Sequence, residues 1–244
     1  MKHMATALIL LLGLTGALAE GADRDSLAAK ATAAFAAKNW QEAETIFKQL
    51  VAFEPTRWDF QQKLINAQIA LEHYDEALAS CDKAIAYGYK GVEGMAPPNA
   101  EKAKAALATL LTTRGNILLK QHRMADAIAA YEKAAAVSTN PGVAYFNICA
   151  LLYNQGRMQE VVPACDKAIA ADPAKADAYF IKGSALFGDA RIENGKMVLP
   201  DGAVQALQKY LELAPSGSHV TDVKAMLTSV GQTIETTYQN RKRN

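Results

Sequence analysis

The chain has 244 residues, half of them hydrophobic, with 26 Lys and Arg against 25 Asp and Glu. That apolar content is ample for one elongated domain. The near-zero charge balance gives no electrostatic footprint for a nucleic acid, so no nucleic-acid partner is expected.

Residues 1–19 read as a secretory signal. Lys2 and His3 form the positive end, Ala5–Leu14 the apolar run, and Ala17-Leu18-Ala19 a small-residue cleavage site before Glu20. The run is short for a spanning helix and is interrupted by Thr15 and Gly16. The expectation is an exported chain, periplasmic or secreted, with no membrane insertion after cleavage; a retained anchor is the competing reading. No Cys follows the cleavage site, which disfavours a lipoprotein anchor. Residues 20–23 are a linker.

From there the chain repeats itself. Cys-Asp-Lys-Ala-Ile-Ala occurs at Cys81–Ala86 and again at Cys165–Ala170. A degenerate copy, Tyr131–Ala136, lies between them. Each copy has a small or β-branched residue four positions upstream: Ala77, Ala127 and Val161. The same frame adds Ala43 before Phe47 and Ala203 before Leu207, at intervals of 34, 50, 34 and 42. The period is 34, with an insertion in each of the two longer intervals. Stacked repeats of this length are helix–turn–helix units, because no single unit can bury its apolar face alone.

In this register the chain resembles the tetratricopeptide repeat (TPR) family over about residues 24–215. The fourth copy carries the resemblance best, through Tyr145–Gly156 and then Val161, Cys165, Ala168 and Pro173. The third matches at Gly115, Asn116, Ala127, Tyr131 and Ala134, and the fifth at Tyr179, Gly183, Leu186, Ala203 and Pro215. The second copy matches at Tyr74, Ala77 and Ala84; the first is weakest, with Ala31, Trp40, Ala43, Phe47 and Pro55. Leu50 and Tyr210 stand where the family has Ala, and Val161 is a further departure. The resemblance implies an all-α solenoid, with repeats 1–2 over 24–91 and repeats 3–5 over 108–215.

Two insertions interrupt it. Gly88–Pro98 holds three Gly and two Pro and reads as a loop. Asn99 then caps a long helix reaching about Gln121, so 92–107 is an insertion loop and helix extension. In the last repeat, at about 188–202, Asn194-Gly195 between apolar flanks signals a small β-hairpin. Residues 216–230 read as a capping helix, which the end of a repeat array needs to stay soluble. Residues 231–244 form a polar tail.

The sequence offers no catalytic constellation, so a noncatalytic protein is expected. His73, His122 and His219 are unpaired at metal-ligand spacing, and no HExxH, phosphate loop or CxxC is present. No metal and no cofactor are expected. The resemblance places Cys149 on helix A and Cys165 on helix B of the same repeat, on facing sides. They form either a disulfide or two packed thiols. Cys81 reads as a free, buried thiol.

The resemblance also places a binding groove on the helix A side. Its lining would include Asn116 and Asn147, whose carboxamides both donate and accept, as peptide backbone requires. Phe146 with Tyr153, and Phe180 with Phe187, lie two turns apart on their helices, with Ser184 beside the second pair. Asp177 and Ile181 replace the cations that a chaperone-tail clamp needs. The partner expected is a protein or peptide held in the periplasm or cell envelope. The alternatives are a self-associating assembly subunit and an accessory subunit of an envelope complex.

Overall fold

A computed structural model describes residues 23–92, 99–193 and 196–231. The helices are α1 (23–36), α2 (Trp40–Phe53), α3 (Trp58–Ala70), α4 (Tyr74–Val92), α5 (Asn99–Lys120) and α6 (Met124–Val137). They continue with α7 (Gly142–Asn154), α8 (Met158–Ala171), α9 (Ala176–Gly188), α10 (Ala203–Leu213) and α11 (Val220–Ser229). Strands β1 (Arg191–Glu193) and β2 (Lys196–Val198) lie between α9 and α10. The export-signal expectation falls on residues outside those described. Among the described residues no helix is long and apolar enough to cross a membrane.

The repeat frame is a burial frame. Ala43, Ala77, Ala127, Val161 and Ala203 are all 0% exposed. One turn on, Phe47, Cys81, Tyr131, Cys165 and Leu207 are also buried. A small first residue lets the neighbouring helix approach, and the second side chain then fills the gap. The turns repeat as well. Lys38, Glu72, His122 and Gly156 all adopt positive φ, between 58° and 69°. Each is followed by an N–H that reaches back to the carbonyl five positions earlier: Asn39 to Ala34, His73 to Gln68, Arg123 to Leu118, and Arg157 to Leu152. This closure ends helix A the same way four times, and only the fourth copy uses the glycine that the conformation favours.

The chain divides between Ala127 and Ile128, within α6, into two compact units. In the first, α1, α2 and α3 share a core of Ala31, Ala43, Phe47, Leu50 and Phe60. A further core joins α3, α4 and α5 through Ile65, Cys81, Leu110 and Ile117. In the second unit, α7 to α10 pack in sequence, and α11 closes the end by burying Val223 and Leu227 against Leu207, Tyr210 and Leu211. The extra bulk of Tyr210, where the family has Ala, serves this closure. Its hydroxyl accepts the His219 N–H at 3.0 Å and so fixes the turn into α11.

The hairpin is present and antiparallel, with Ile192 opposite Met197. Its Asn194-Gly195 step lies outside the described residues. The first insertion needs correcting: α4 runs through Gly88 and Gly91 rather than stopping before them. Gly88 is a contact glycine, since a Cβ there would lie 2.8 Å from Cη2 of Trp58. The lack of a side chain there serves close packing and not a turn. Residues 93–98 lie outside those described.

The twin strings also form equivalent ion pairs. Asp82 accepts from Arg114 Nε at 2.6 Å, and Asp166 from Lys182 Nζ at 2.6 Å. Each ties a helix B to the next helix A. Exposed pairs of this kind contribute at most about 1 kcal/mol, so they set register more than stability.

Gly183 tests the close-packing account. A Cβ there would lie 2.6 Å from Leu207 Cδ2 and 3.2 Å from the Leu207 backbone nitrogen. Helix propensity alone would make Gly183→Ala stabilising by about 1 kcal/mol. Overpacking is expected to win, with a net loss of about 1–3 kcal/mol in urea unfolding. A stabilised variant would refute the close contact between α9 and α10.

Candidate functional site

Helix α7 carries Phe146, Asn147 and Tyr153, all half-buried. Lys175, from the turn before α9, places Nζ 4.4 Å from the Phe146 ring centroid, a cation–π contact. Among the described residues the Asn147 carboxamide has no hydrogen-bond partner. It therefore presents a free donor and acceptor on the helix that carries the two aromatic rings. Asn116 is exposed on α5, in the first unit, whereas the other sequence-predicted residues lie in the second.

Helix α9 does not supply the rest of the groove. Phe180 is stacked on His219, with centroids 3.8 Å apart and planes within 5°, and its centroid lies 5.6 Å from that of Tyr210. Phe187 packs on the same cluster. Both rings hold α10 and the closing helix, so their two-turn spacing is core spacing. Ser184 is buried at 8% exposure. Phe180, Phe187 and Ser184 thus serve packing in the second unit, which leaves Phe146, Asn147 and Tyr153 with Lys175, and the exposed Asn116 of the first unit, as the candidate binding residues.

Cys149 and Cys165 are placed at bonding distance, with S–S 2.00 Å and Cα–Cα 5.0 Å. The bridge joins α7 to α8. Closing a loop over a separation of 16 residues stabilises by about 3 kcal/mol on the chain-entropy account. Cys81 is free and buried. Its Sγ donates to the Leu110 carbonyl at 3.2 Å, and burial pushes its pKa up to about 12. Among the described residues no three His, Cys, Asp or Glu side chains gather to hold a metal ion.

Models of the tetratricopeptide repeat match residues 34–90 and 112–176. The chain belongs to the tetratricopeptide repeat family. Solved TPR structures superpose on it. A crystal structure of MamA protein aligns with a TM-score of 0.58 at 18% identity, over 80% of this chain and 93% of that one. YrrB, described as a TPR protein with an unusual peptide-binding site, aligns with a TM-score of 0.53 at 18% identity, over 80% and 88%. At that identity the likeness shows the fold alone. No curated protein matches the chain by sequence.

This TPR array holds one polar cluster that sequence reasoning missed. Glu44 on α2 is 2% exposed, and Gln68 on α3 is 1% exposed. Gln68 Nε2 donates to Glu44 Oε1 at 3.4 Å. Lys48 Nζ lies 2.7 Å from Oε1, and His73 Nδ1 lies 3.2 Å from Oε2. Burial alone would raise the Glu44 pKa, but Lys48, Gln68 and His73 together hold it below its ordinary value. The signal was available in the repeat register. In the register that aligns Cys81 with Cys165, Glu44 and Gln68 correspond to Ile128 and Leu152. The first two repeats are therefore polar where the third and fourth are apolar.

Alkylation of the native protein should label no cysteine; unfolding without reduction should expose Cys81 alone, and reduction should then add Cys149 and Cys165. Three labels before reduction would refute the bridge. The Glu44 cluster makes a separate prediction. A lowered carboxyl pKa stabilises the fold above the unfolded value, and that contribution is lost as pH falls through the folded value. The stability gap between the wild type and Glu44→Gln should therefore close on acidification from neutral to well below 4.5, the ordinary value. A gap constant with pH would show that Glu44 is not ionised in the fold.

Proposed function

We propose that this TPR protein is a noncatalytic scaffold of the periplasm or cell envelope that holds a protein or peptide segment on the helix A side of α7. The observation that carries the reading is the half-buried Asn147 carboxamide, left without a partner among the described residues on the helix that also carries Phe146 and Tyr153. A peptide unit needs one acceptor and one donor, and the two half-buried rings on one stripe of the same helix offer apolar anchors. Lys175 adds a cation above Phe146, which favours a segment with an acidic residue beside its apolar one.

Export is supported by the charged end, apolar run and small-residue site of residues 1–19. The Cys149–Cys165 bridge is in keeping with an oxidising compartment. YrrB, with its described peptide-binding site, makes a peptide the first class of partner to test.

A photo-crosslinking residue at Tyr153, in cells that make the protein, should yield a discrete adduct in the osmotic-shock fraction. N-terminal sequencing of the protein from that fraction should begin at Glu20. Asn147→Ala should weaken capture about tenfold, the worth of one or two hydrogen bonds. An adduct unchanged by Asn147→Ala together with Asn116→Ala would place the binding surface elsewhere.

A further inference from the structure

The first unit contains a cleft of about 570 Å³ between α2 and α4, floored by α3. The second unit has a cleft at the equivalent place, between α6 and α8 over α7, of about 250 Å³. Both lie on the helix B side, away from the groove proposed above. Their linings correspond in the register that aligns Cys81 with Cys165. Glu76 and Lys83 on one rim recur as Glu160 and Lys167. The floor does not recur: Gln61 and Gln68 stand where the second unit has Tyr145 and Leu152. The same architecture therefore folds with an apolar floor, and packing does not require the polar one.

The polar floor is nearly satisfied. Gln61 Nε2 donates to the Pro55 carbonyl. Gln68 Nε2 is committed to Glu44. A flipped Gln68 amide would set two acceptor oxygens against each other, so the carboxylate fixes its orientation. That leaves Gln68 Oε1 buried with no partner among the described residues. Gln68 lines the floor of the cleft, where water or a bound molecule can supply the donor that the protein does not.

The rim determines which kind. Val51, Ala52, Leu64 and the half-exposed Tyr87 ring supply an apolar wall. Glu76 and Lys83 lie two turns apart on α4, and Lys83 has no ion-pair partner among the described residues. Seven helical positions advance about 10 Å, which an extended peptide covers in about three residues.

We propose that the α2–α3–α4 cleft is a second binding site, for an extended peptide stretch with a basic residue at Glu76, an acidic residue three places on at Lys83, and apolar residues between. A backbone N–H of that stretch donates to Gln68 Oε1. The site is independent of α7.

The test is an NMR titration of the full chain with the blocked tetrapeptide N-acetyl-Lys-Leu-Leu-Glu-amide. Saturable shifts are expected at the Gln68 side-chain amide and the Ser80 and Lys83 backbone, with none at Phe146 or Tyr153. Gln68→Leu installs the residue that the second unit already accommodates, and Lys83→Glu changes only an exposed rim. Each should weaken binding at least tenfold, and N-acetyl-Lys-Leu-Leu-Lys-amide should bind at least tenfold less tightly to the wild type. The proposal is overturned if millimolar peptide moves none of these signals. It is equally overturned if Lys83→Glu binds as the wild type does, or if the two peptides bind alike.

Discussion

Helices can approach closely only where a side chain is small, and in this chain that constraint recurs once in every repeat. Ala43, Ala77, Ala127, Val161 and Ala203 each lie fully buried at a point of near contact. Everything else is fitted around them: the filling residue one turn on, the left-handed turn that reverses the chain, and the charge pair that ties one copy to the next. No copy has enough core to stand alone, so each side chain in the frame serves its neighbour as much as its own repeat. Insertions are tolerated where the frame is not interrupted. The hairpin at Arg191–Val198 therefore extends the last repeat without altering the packing of Gly183 on Leu207.

The architecture was legible because periodicity is a statement about backbone packing. The long helix from Asn99, the hairpin strands and the closing helix all lie where turn chemistry and apolar spacing put them. What could not be read was which of two uses a residue served. Gly88 looks like a helix breaker in sequence and is a contact for Trp58 in space. Phe180 and Phe187 have the spacing of a ligand-binding face and pack, partly buried, against the core under α11. In each case the deciding partner is distant in the chain: Trp58 for the first, His219 and Tyr210 for the second. Local pattern specifies a face but does not say what meets it.

The polar cluster around Glu44 shows the opposite failure. A Glu and a Gln in Ala-rich helices read as solvated surface, yet here they are among the most buried polar groups described. Lys48 supplies the compensating charge from one helical turn away, so the ion pair is local and leaves no long-range signature. Comparing one copy with another is what exposes it. An internal repeat carries its own control: a position such as Gln68, buried as its counterpart Leu152 is buried but polar where that residue is apolar, reports something added to the scaffold.

The same comparison bears on the cysteines. Cys81 and Cys165 occupy equivalent places in identical strings, and both are fully buried. The residue that faces Cys165 is Cys149; its counterpart in the second repeat is Ile65, in the same core as Cys81. One side chain therefore separates a covalently stapled repeat from one held by packing alone. Oxidation state is thus a local property of the fourth repeat. A reducing environment would loosen that repeat and leave the second unaffected, so the array would respond to redox conditions at one internal joint.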